Sequence, residues 1–248
     1  PMNWRVSALD RVALISNSDS HSLERIGREC NVFECELSYG GIMEAIKSGA
    51  PEEGRRMSED GGLKMNVSDV KHRSSVIGHQ AQFCETIEFY PEEGRYHVDG
   101  HRLCGVAWTP EETFKYKGIC SKCGQRVTIG TLNRLEQIAD RAEGYSDEFR
   151  VPFRRLVQLD KIIGEALDLG AKTKGVKKEY DKLIRAFGSE LFVLLDAPAN
   201  KIALASSALI AEGVVRVRGG KVKIQPGYDG EYGHVTIFNN KERGKLDK

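Results

Sequence analysis

His101-Arg102-Leu103-Cys104, fifteen further residues, then Cys120-Ser121-Lys122-Cys123-Gly124 is the stretch on which the reading of this chain turns. Two ligand pairs, each with two residues between them, are what one tetrahedral ion needs. A C-x2-C or H-x2-C turn sets both side chains on one side of a tight knuckle, and the intervening loop lets the knuckles face each other. Thiolates favour a soft or borderline ion, and a nitrogen-plus-three-sulfur set favours Zn2+. The competing possibility is two disulfides or inert buried thiols, which spacing this regular disfavours. Four protein ligands leave no open position, so His101, Cys104, Cys120 and Cys123 predict a structural zinc, and any chemistry must lie elsewhere. His97 is an alternative first ligand, but only His101 has the two-residue spacing to Cys104.

The totals bound the rest. A chain of 248 residues is too long for one zinc module, and 37 Lys+Arg against 36 Asp+Glu leave no global basic footprint, so any nucleic-acid contact must be local. No apolar run approaches the roughly 18 residues of a membrane span and no signal-peptide pattern opens the chain, which predicts no membrane partner. Six cysteines with paired spacing fit a reducing, cytoplasmic setting.

Upstream, Val12–Ser16 is a short apolar run that predicts a buried strand, ending in Asn17-Ser18-Asp19-Ser20-His21-Ser22. Residues two apart in an extended segment point the same way, so Asp19 and His21 can grip one metal ion at a strand end, where α/β barrels place their chemistry. The alternative is an N-cap Asp beside a solvated His, and D-x-H is by itself a weak motif. A short helix at Leu23–Glu29, a strand at Asn31–Cys35 and a helix capped by Ser38 and stopped by a left-handed Gly49 follow. Two strands cannot close a barrel, so residues 1–50 read as a barrel remnant whose other half lies upstream or on a separate chain.

Residues 51–83 are charge-rich and Gly-rich and predict a flexible insert; His72 and His79 within it predict no site. Residues 84–130 form the zinc-ribbon-like unit, with a Thr86–Tyr90/Arg95–Val98 hairpin and a strand at Val127–Ile129. Cys30, Cys35 and Cys84 have no spacing partner and read as small core residues. Lys115, Lys117, Lys122, Arg126 and Arg134 make a local positive cluster for phosphate or for solvent. Residues 131–212 predict a helical domain: Thr131 to about Arg141, Arg155–Leu169, a Thr173-capped helix stopped by Gly188 with Lys174, Lys177, Lys178 and Lys182 on its outer face, then Glu190–Leu195 and Lys201–Glu212. Residues 213–240 predict a β/turn-rich segment with a hairpin at Gly219-Gly220, and residues 241–248 a charged tail. The fold class is thus α/β, plus a small zinc ribbon, plus a mostly helical C-terminal region.

The order of motifs resembles a known family. Asn3–Ser22, the Gly-Arg-Glu of 27–29, Thr86–Val106, Cys120–Gly124 followed by Thr128-Ile129-Gly130, and Pro226–Gly233 together resemble endonuclease Q, of the polymerase-and-histidinol-phosphatase (PHP) superfamily. The resemblance covers the chain except about 51–82. It implies a distorted α/β barrel whose His, Asp and Glu ligands hold a Zn2+, Mn2+ or Mg2+ cluster closed by Asp19 and His21, and a zinc domain held by His101, Cys104, Cys120 and Cys123. It further implies cleavage of DNA on the 5′ side of deaminated bases such as hypoxanthine and uracil, or at abasic sites. The partners implied are damaged DNA, the missing barrel half and a replication or repair protein. Most of the barrel and its other ligands are absent here, so an incomplete and inactive fragment is expected. Trp4 is read either as a DNA-stacking or as a core residue. Arg5, Lys122, Arg126, Lys174 and Lys178 are weak DNA-contact candidates. The rival readings are a noncatalytic zinc-ribbon module that binds nucleic acid, and a PHP phosphoesterase acting on a small phosphomonoester.

Overall fold

The computed structural model describes residues 2–49, 81–147, 150–239 and 242–243. His72, His79 and most of the 51–83 insert lie outside the described residues, as does nearly all of the charged tail. The architecture is mixed α/β, with eight α-helices and three small sheets among the described residues.

Its frame is a three-stranded sheet in which β2 (Gln82–Phe89) is central. Strand β1 (Cys30–Glu34) pairs with it antiparallel, Cys30 opposite Ile87, with an irregularity between Val32 and Phe33. Helix α1 (Tyr39–Ser48) packs against β2; Ser38 caps it by accepting the Gly41 amide at 3.1 Å. Gly49 ends α1 in the right-handed region, not in the left-handed conformation expected. The requirement for glycine is steric instead: a Cβ there would stand 2.5 Å from the Phe83 ring.

Beyond β2 the chain makes a 3-10 turn at Pro91–Glu93 and enters a small module. There β3 (Asp99–His101) pairs antiparallel with β4 (Val106–Trp108), followed by helix α2 (Pro110–Lys115), whose Thr109 and Glu112 form a reciprocal capping box. The expected Thr86–Tyr90/Arg95–Val98 hairpin does not form, because both edges of β2 are taken by other strands; Val98 bridges Tyr228 instead. The expected strand at Val127–Ile129 is reduced to a bridge between Thr128 and Gly100. Helix α3 (Thr131–Ile138) starts after Gly130 and ends short of Arg141; the Thr131 hydroxyl, the expected cap, donates to the Tyr96 carbonyl instead.

Strand β5 (Phe153–Leu156) then pairs parallel with β2, Thr86 opposite Phe153. This corrects the expectation of a helix from Arg155: α4 (Leu159–Leu167) begins three residues after the strand. The helices α5 (Lys174–Phe187), α6 (Glu190–Leu195), α7 (Ala199–Ala205) and α8 (Ala208–Arg218) complete the arm. Thr173 caps α5 and Gly188 ends it at φ +86°, as expected. The single helix expected at Lys201–Glu212 is divided at Ser206-Ser207, where Ser207 accepts the Ile210 amide and starts α8. Ile162, Ile163, Leu183, Val193, Ile202, Ile210, Val214 and Phe238 close one core with Ile87 of β2. Arg218 reaches back to donate to the carbonyls of Val193, Leu194 and Ala197 at 2.8 Å each, satisfying acceptors at the end of α6 that the helix itself cannot pair. The last strands among the described residues are the hairpin of β6 (Lys223–Gln225) and β7 (His234–Thr236); its loop is the glycine-rich run, not Gly219-Gly220.

The N-terminal segment departs most from expectation. Val12–Ser16 forms no strand, and Val12 and Ile15 are 47% and 52% exposed. The one sheet-like feature is a side chain: the Asn31 amide accepts from the Ser16 N–H at 2.8 Å and donates to its carbonyl at 2.9 Å. The helix expected at Leu23–Glu29 is a single 3-10 turn, Leu23–Arg25, with Leu23 fully presented to solvent. Residues 3–10 are nonetheless clasped to 136–150. Arg5 pairs with Glu136, Ser7 with Asp140, and Asp10 holds both Arg141 and Arg150.

The Arg141 hydrogen bond, opposed by partial burial and aided by Arg150, holds the Asp10 carboxyl below the usual carboxylate range. A depressed pKa means that this clasp contributes in full above the unfolded-state value and is lost as pH falls through the folded one. Asp10→Asn should therefore cost about 1–3 kcal/mol, reduced from the buried-pair range because Asp10 is partly solvated. In urea titrations the difference from wild type should be present at pH 7 and shrink on acidification.

Candidate metal centre

The two knuckles meet as their spacing requires. Ligand atoms of His101, Cys104, Cys120 and Cys123 all lie within 4.8 Å of one another, the one such cluster among the described residues. Cys123 Sγ is 3.5 Å from His101 Nδ1. A tetrahedral ion with a metal–sulfur bond near 2.3 Å and a metal–nitrogen bond near 2.0 Å separates those atoms by about 3.6 Å. The set therefore fits a metal ion, and all six cysteines are free rather than disulfide-bonded.

Local backbone builds each turn. Gly105 (φ +59°) and Gly124 (φ +73°) follow the second ligand of each pair, where the chain must reverse in the left-handed region that glycine adopts at little cost. Beneath the ligands, Val106, Trp108, Cys120 and Val127 form a small core, and Trp108 stacks on Tyr116 at 4.7 Å. Lys122 Nζ crosses between the knuckles to the Cys104 carbonyl at 2.7 Å. The thiols differ in acidity. Burial raises the Cys120 pKa, but hydrogen bonds from the Lys122 and Cys123 amides and from the Cys123 and Cys104 thiols bring it down to about 6; its hydrogen bond with Cys123, with burial, pushes Cys104 up to about 11.

His97 is buried, its pKa lowered by desolvation, and it stands outside the cluster. Asp99 is fully buried beside the first turn, where its carboxylate accepts the Gly130 amide and the Asn133 side chain at 2.6 Å each. Asp229 binds the same module from the C-terminal hairpin, accepting the Arg102 amide and the Thr128 hydroxyl. Neither aspartate was identifiable as a support from sequence; the sole signal is the glycine that follows each, Gly100 where the Tyr228 ring comes close and Gly230 at a positive φ of +88°.

The other candidates are dispersed. Asp19 is exposed at φ +43°, so the Asp19–His21 stretch is a turn rather than the extended segment expected. His21 Nδ1 lies 2.9 Å from the Asp19 carbonyl oxygen, which can only accept, so Nδ1 is the donor in this contact and Nε2 is the ring nitrogen left for another partner. Trp4 packs edge-on against Phe153 at 5.5 Å and lines a cleft of about 210 Å3 with Ser16, Glu29, Glu88 and Arg150. Arg5 is committed to Glu136 and to the Arg141 carbonyl. Lys122, Arg126, Lys174 and Lys178 are exposed, while Lys177 and Lys182 are paired with Asp181 and Glu179. No helix of the described residues is long and apolar enough to cross a membrane.

Cys120→Ser combined with Cys123→Ser should abolish stoichiometric metal retention, whereas His97→Ala should leave the metal content unchanged. Elemental analysis after gel filtration reads both. Because protons compete with the ion for thiolate sulfur, retention should fall steeply on acidification.

Comparison with known proteins places this geometry. Residues 158–221, the α4–α8 arm, match the family described as MJ0043 C-terminal domain. Two curated relatives are each 28% identical: the uncharacterized protein MJ0043 of Methanocaldococcus jannaschii, over 234 residues, and the uncharacterized protein YqxK of Bacillus subtilis, over 239. Each match covers 94% of this chain, but 26% of the first protein and 49% of the second. Among solved structures, the lesion-specific endonuclease PfuEndoQ of Pyrococcus furiosus superposes with a TM-score of 0.75 and 28% identity, covering 95% of this chain and 52% of that one. An endonuclease Q complex with a 27-mer duplex bearing an abasic lesion at the active site superposes with 0.73 and 27%, covering all of this chain and 55% of that one. The chain thus spans about half or less of the proteins it matches. In motif order and in fold, it resembles endonuclease Q over nearly its whole length.

Proposed function

We propose that this chain is the portion of a metal-dependent DNA repair endonuclease that carries a structural zinc module, a helical arm and the closing ligand pair of a PHP-type catalytic centre. The observation that carries the reading is the whole-chain fold likeness to endonuclease Q, one example of which is bound to an abasic duplex. The reaction is hydrolysis of the phosphodiester 5′ of a deaminated base such as hypoxanthine or uracil, or at an abasic site. Such lesions are cheap to expose, since a mispaired base costs less to extrude from the stack than a paired one.

His101, Cys104, Cys120 and Cys123 hold Zn2+ in a closed shell that has no catalytic position. Asp19 and His21 hold one Mn2+, Mg2+ or Zn2+ ion of the catalytic cluster, and the available Nε2 of His21 supports that role. Bound there, the cluster supplies an acidified water and charge for the phosphodiester. Two side chains are too few to hold it, so the remaining ligands come from the other half of the barrel. Exposed apolar side chains in this segment support such a partner: Val12, Ile15, Leu23, Ile26, Leu37 and Tyr39 all face solvent, Leu37 being 96% exposed. Lys122 and Arg126 on the zinc module and Lys174 and Lys178 on α5 lie along the duplex and meet phosphates, giving affinity without sequence reading. Cytoplasmic location and a replication or repair partner belong to the same reading.

A noncatalytic zinc-ribbon module that binds nucleic acid is the second reading, favoured by a complete ligand set at 101–123 against an incomplete one at 19–21. One assay separates these from a phosphomonoesterase. End-labelled duplexes carrying hypoxanthine, uracil or an abasic site are incubated with Mn2+ or Mg2+, with and without polypeptide corresponding to the remaining half of a full-length relative. The chain alone should not nick; the complemented protein should, and Asp19→Ala should remove the activity. Intact duplexes alongside hydrolysis of a phosphomonoester would overturn the repair reading, and duplex binding without any hydrolysis would favour the noncatalytic module.

A further inference from the structure

The glycine-rich run Gly227–Gly233 lies directly on the backbone that leads into the metal ligands. Gly227 N donates to the Glu92 carbonyl at 2.8 Å, Gly230 N to Arg95 at 3.0 Å and Gly233 N to Glu93 at 3.2 Å. In return His97 N and Val98 N both donate to the Gly227 carbonyl at 3.1 Å. These backbones touch. A Cβ on Gly233 would sit 2.0 Å from the Glu92 oxygen, and one on Gly100, immediately before ligand His101, would sit 2.4 Å from the Tyr228 ring.

At the tip, Asp229 adopts φ +44° and turns its carboxylate into the metal module. One oxygen accepts the amide of Arg102, the residue after His101, at 2.6 Å; the other accepts the Thr128 hydroxyl at 2.6 Å. Thr128 in turn exchanges backbone hydrogen bonds with Gly100, at 2.7 and 2.9 Å. A single carboxylate therefore ties the first ligand turn to the segment leaving the second, from a position more than a hundred residues away.

We propose that the 227–233 loop is the outer support of the metal turns and that Asp229 is a positioning residue for His101, so that ion occupancy and the C-terminal hairpin are coupled. The inference rests on the metal reading of the His101–Cys123 cluster. A ligand that is not held must be ordered when the ion binds, and loss of such outer partners typically costs about 10- to 100-fold in metal affinity. Coupling of this kind is reciprocal: if the loop steadies the ion, the ion steadies the loop.

Two measurements test it on the purified chain. Zinc transfer to a chromophoric chelator is timed for wild type, Asp229→Asn and Thr128→Val, and amide hydrogen exchange is followed before and after chelation. Both variants should release zinc about 10- to 100-fold faster, with the thermal transition of the helical arm unchanged. Removing the ion should speed exchange at 227–233 and leave α4–α8 unaltered. Wild-type release rates in both variants, or loop exchange indifferent to the ion, would overturn the coupling. Should Asp229→Asn not fold, Thr128→Val and wild-type exchange decide the matter. A wild-type chain that retains no zinc ends the metal reading and this inference together; zinc retained with unaltered release ends the inference alone.

Discussion

Strand β2 must satisfy both of its edges at once, and the placement of everything else follows from how it does so. On one side stands β1, antiparallel and followed by α1; on the other stands β5, parallel and followed by the helical arm. A parallel neighbour cannot be reached by a tight turn, so the chain between β2 and β5 has to make an excursion. The metal module is that excursion. It leaves through Pro91–Glu93 and returns at Phe153, and its root is held by the carbonyls of Glu92 and Glu93, which accept the amides of the C-terminal glycine loop. The module is thus fixed at its root by β2 and at its outer turn by Asp229.

How far this was legible depended on the range of the interactions. Several signals within a few residues match the structure, among them the paired Cys/His turns, the Ser38 cap, and α5 between Thr173 and Gly188, whereas the left-handed stop expected at Gly49 and the cap expected at Thr131 do not form. A cap or a knuckle is encoded by side chains three or four positions apart. Strand β5 was hidden because four residues, Phe153–Leu156, carry no period of their own and acquire their state from pairing with β2, some seventy positions earlier. The apparent hairpin at Tyr90–Arg95 failed for the same reason, since turn chemistry was present but the strand edge was already taken. Val12–Ser16 shows the reverse: its apolar residues describe a strand for which the described residues supply no ladder partner, so they stay exposed. Of the candidate sites, the Cys/His cluster was legible in full, while its aspartate supports were not, because only the folded chain brings them there.

Arginine does much of the internal pairing, although Lys161 and Lys182 are paired as well, with Glu93 and Glu179. Several arginines are spent internally: Arg5 on Glu136, Arg141 and Arg150 on Asp10, Arg154 on Glu85, Arg216 on Glu242, and Arg218 on the carbonyls closing α6. A planar fork of donors suits fixed, multi-point pairing, whereas an ammonium on a flexible stem suits a moving or repetitive anion. Lys174 and Lys178 are left exposed on α5 and Arg126 on the metal module, beside Lys122, whose Nζ donates to the Cys104 carbonyl. A chain with near-zero net charge can in this way still present local cationic surface, as contact with a phosphate backbone requires.

The two candidate ligand groups also differ in how far they are prepared. His101, Cys104, Cys120 and Cys123 are brought within 4.8 Å of one another by two glycine-closed turns, a small apolar core and an aspartate from the far end of the chain. Asp19 and His21 have no comparable scaffold. Their loop is largely exposed, its hydrogen bonds are local ones from His21 to the Asp19 carbonyl and between Ser20 and Ser22, and the segment before it has no strand partner among the described residues. A closed ion can be held by a module that folds around it, but a catalytic ion needs ligands fixed to within a fraction of an ångström by rigid elements behind them. For Asp19 and His21 those elements would be barrel strands beside Val12–Ser16. The exposed apolar faces of Val12, Ile15, Leu37 and Tyr39 are the surface against which such strands and their helices would pack. On the proposed reading, contact with such strands would both cover these apolar side chains and support the Asp19–His21 pair.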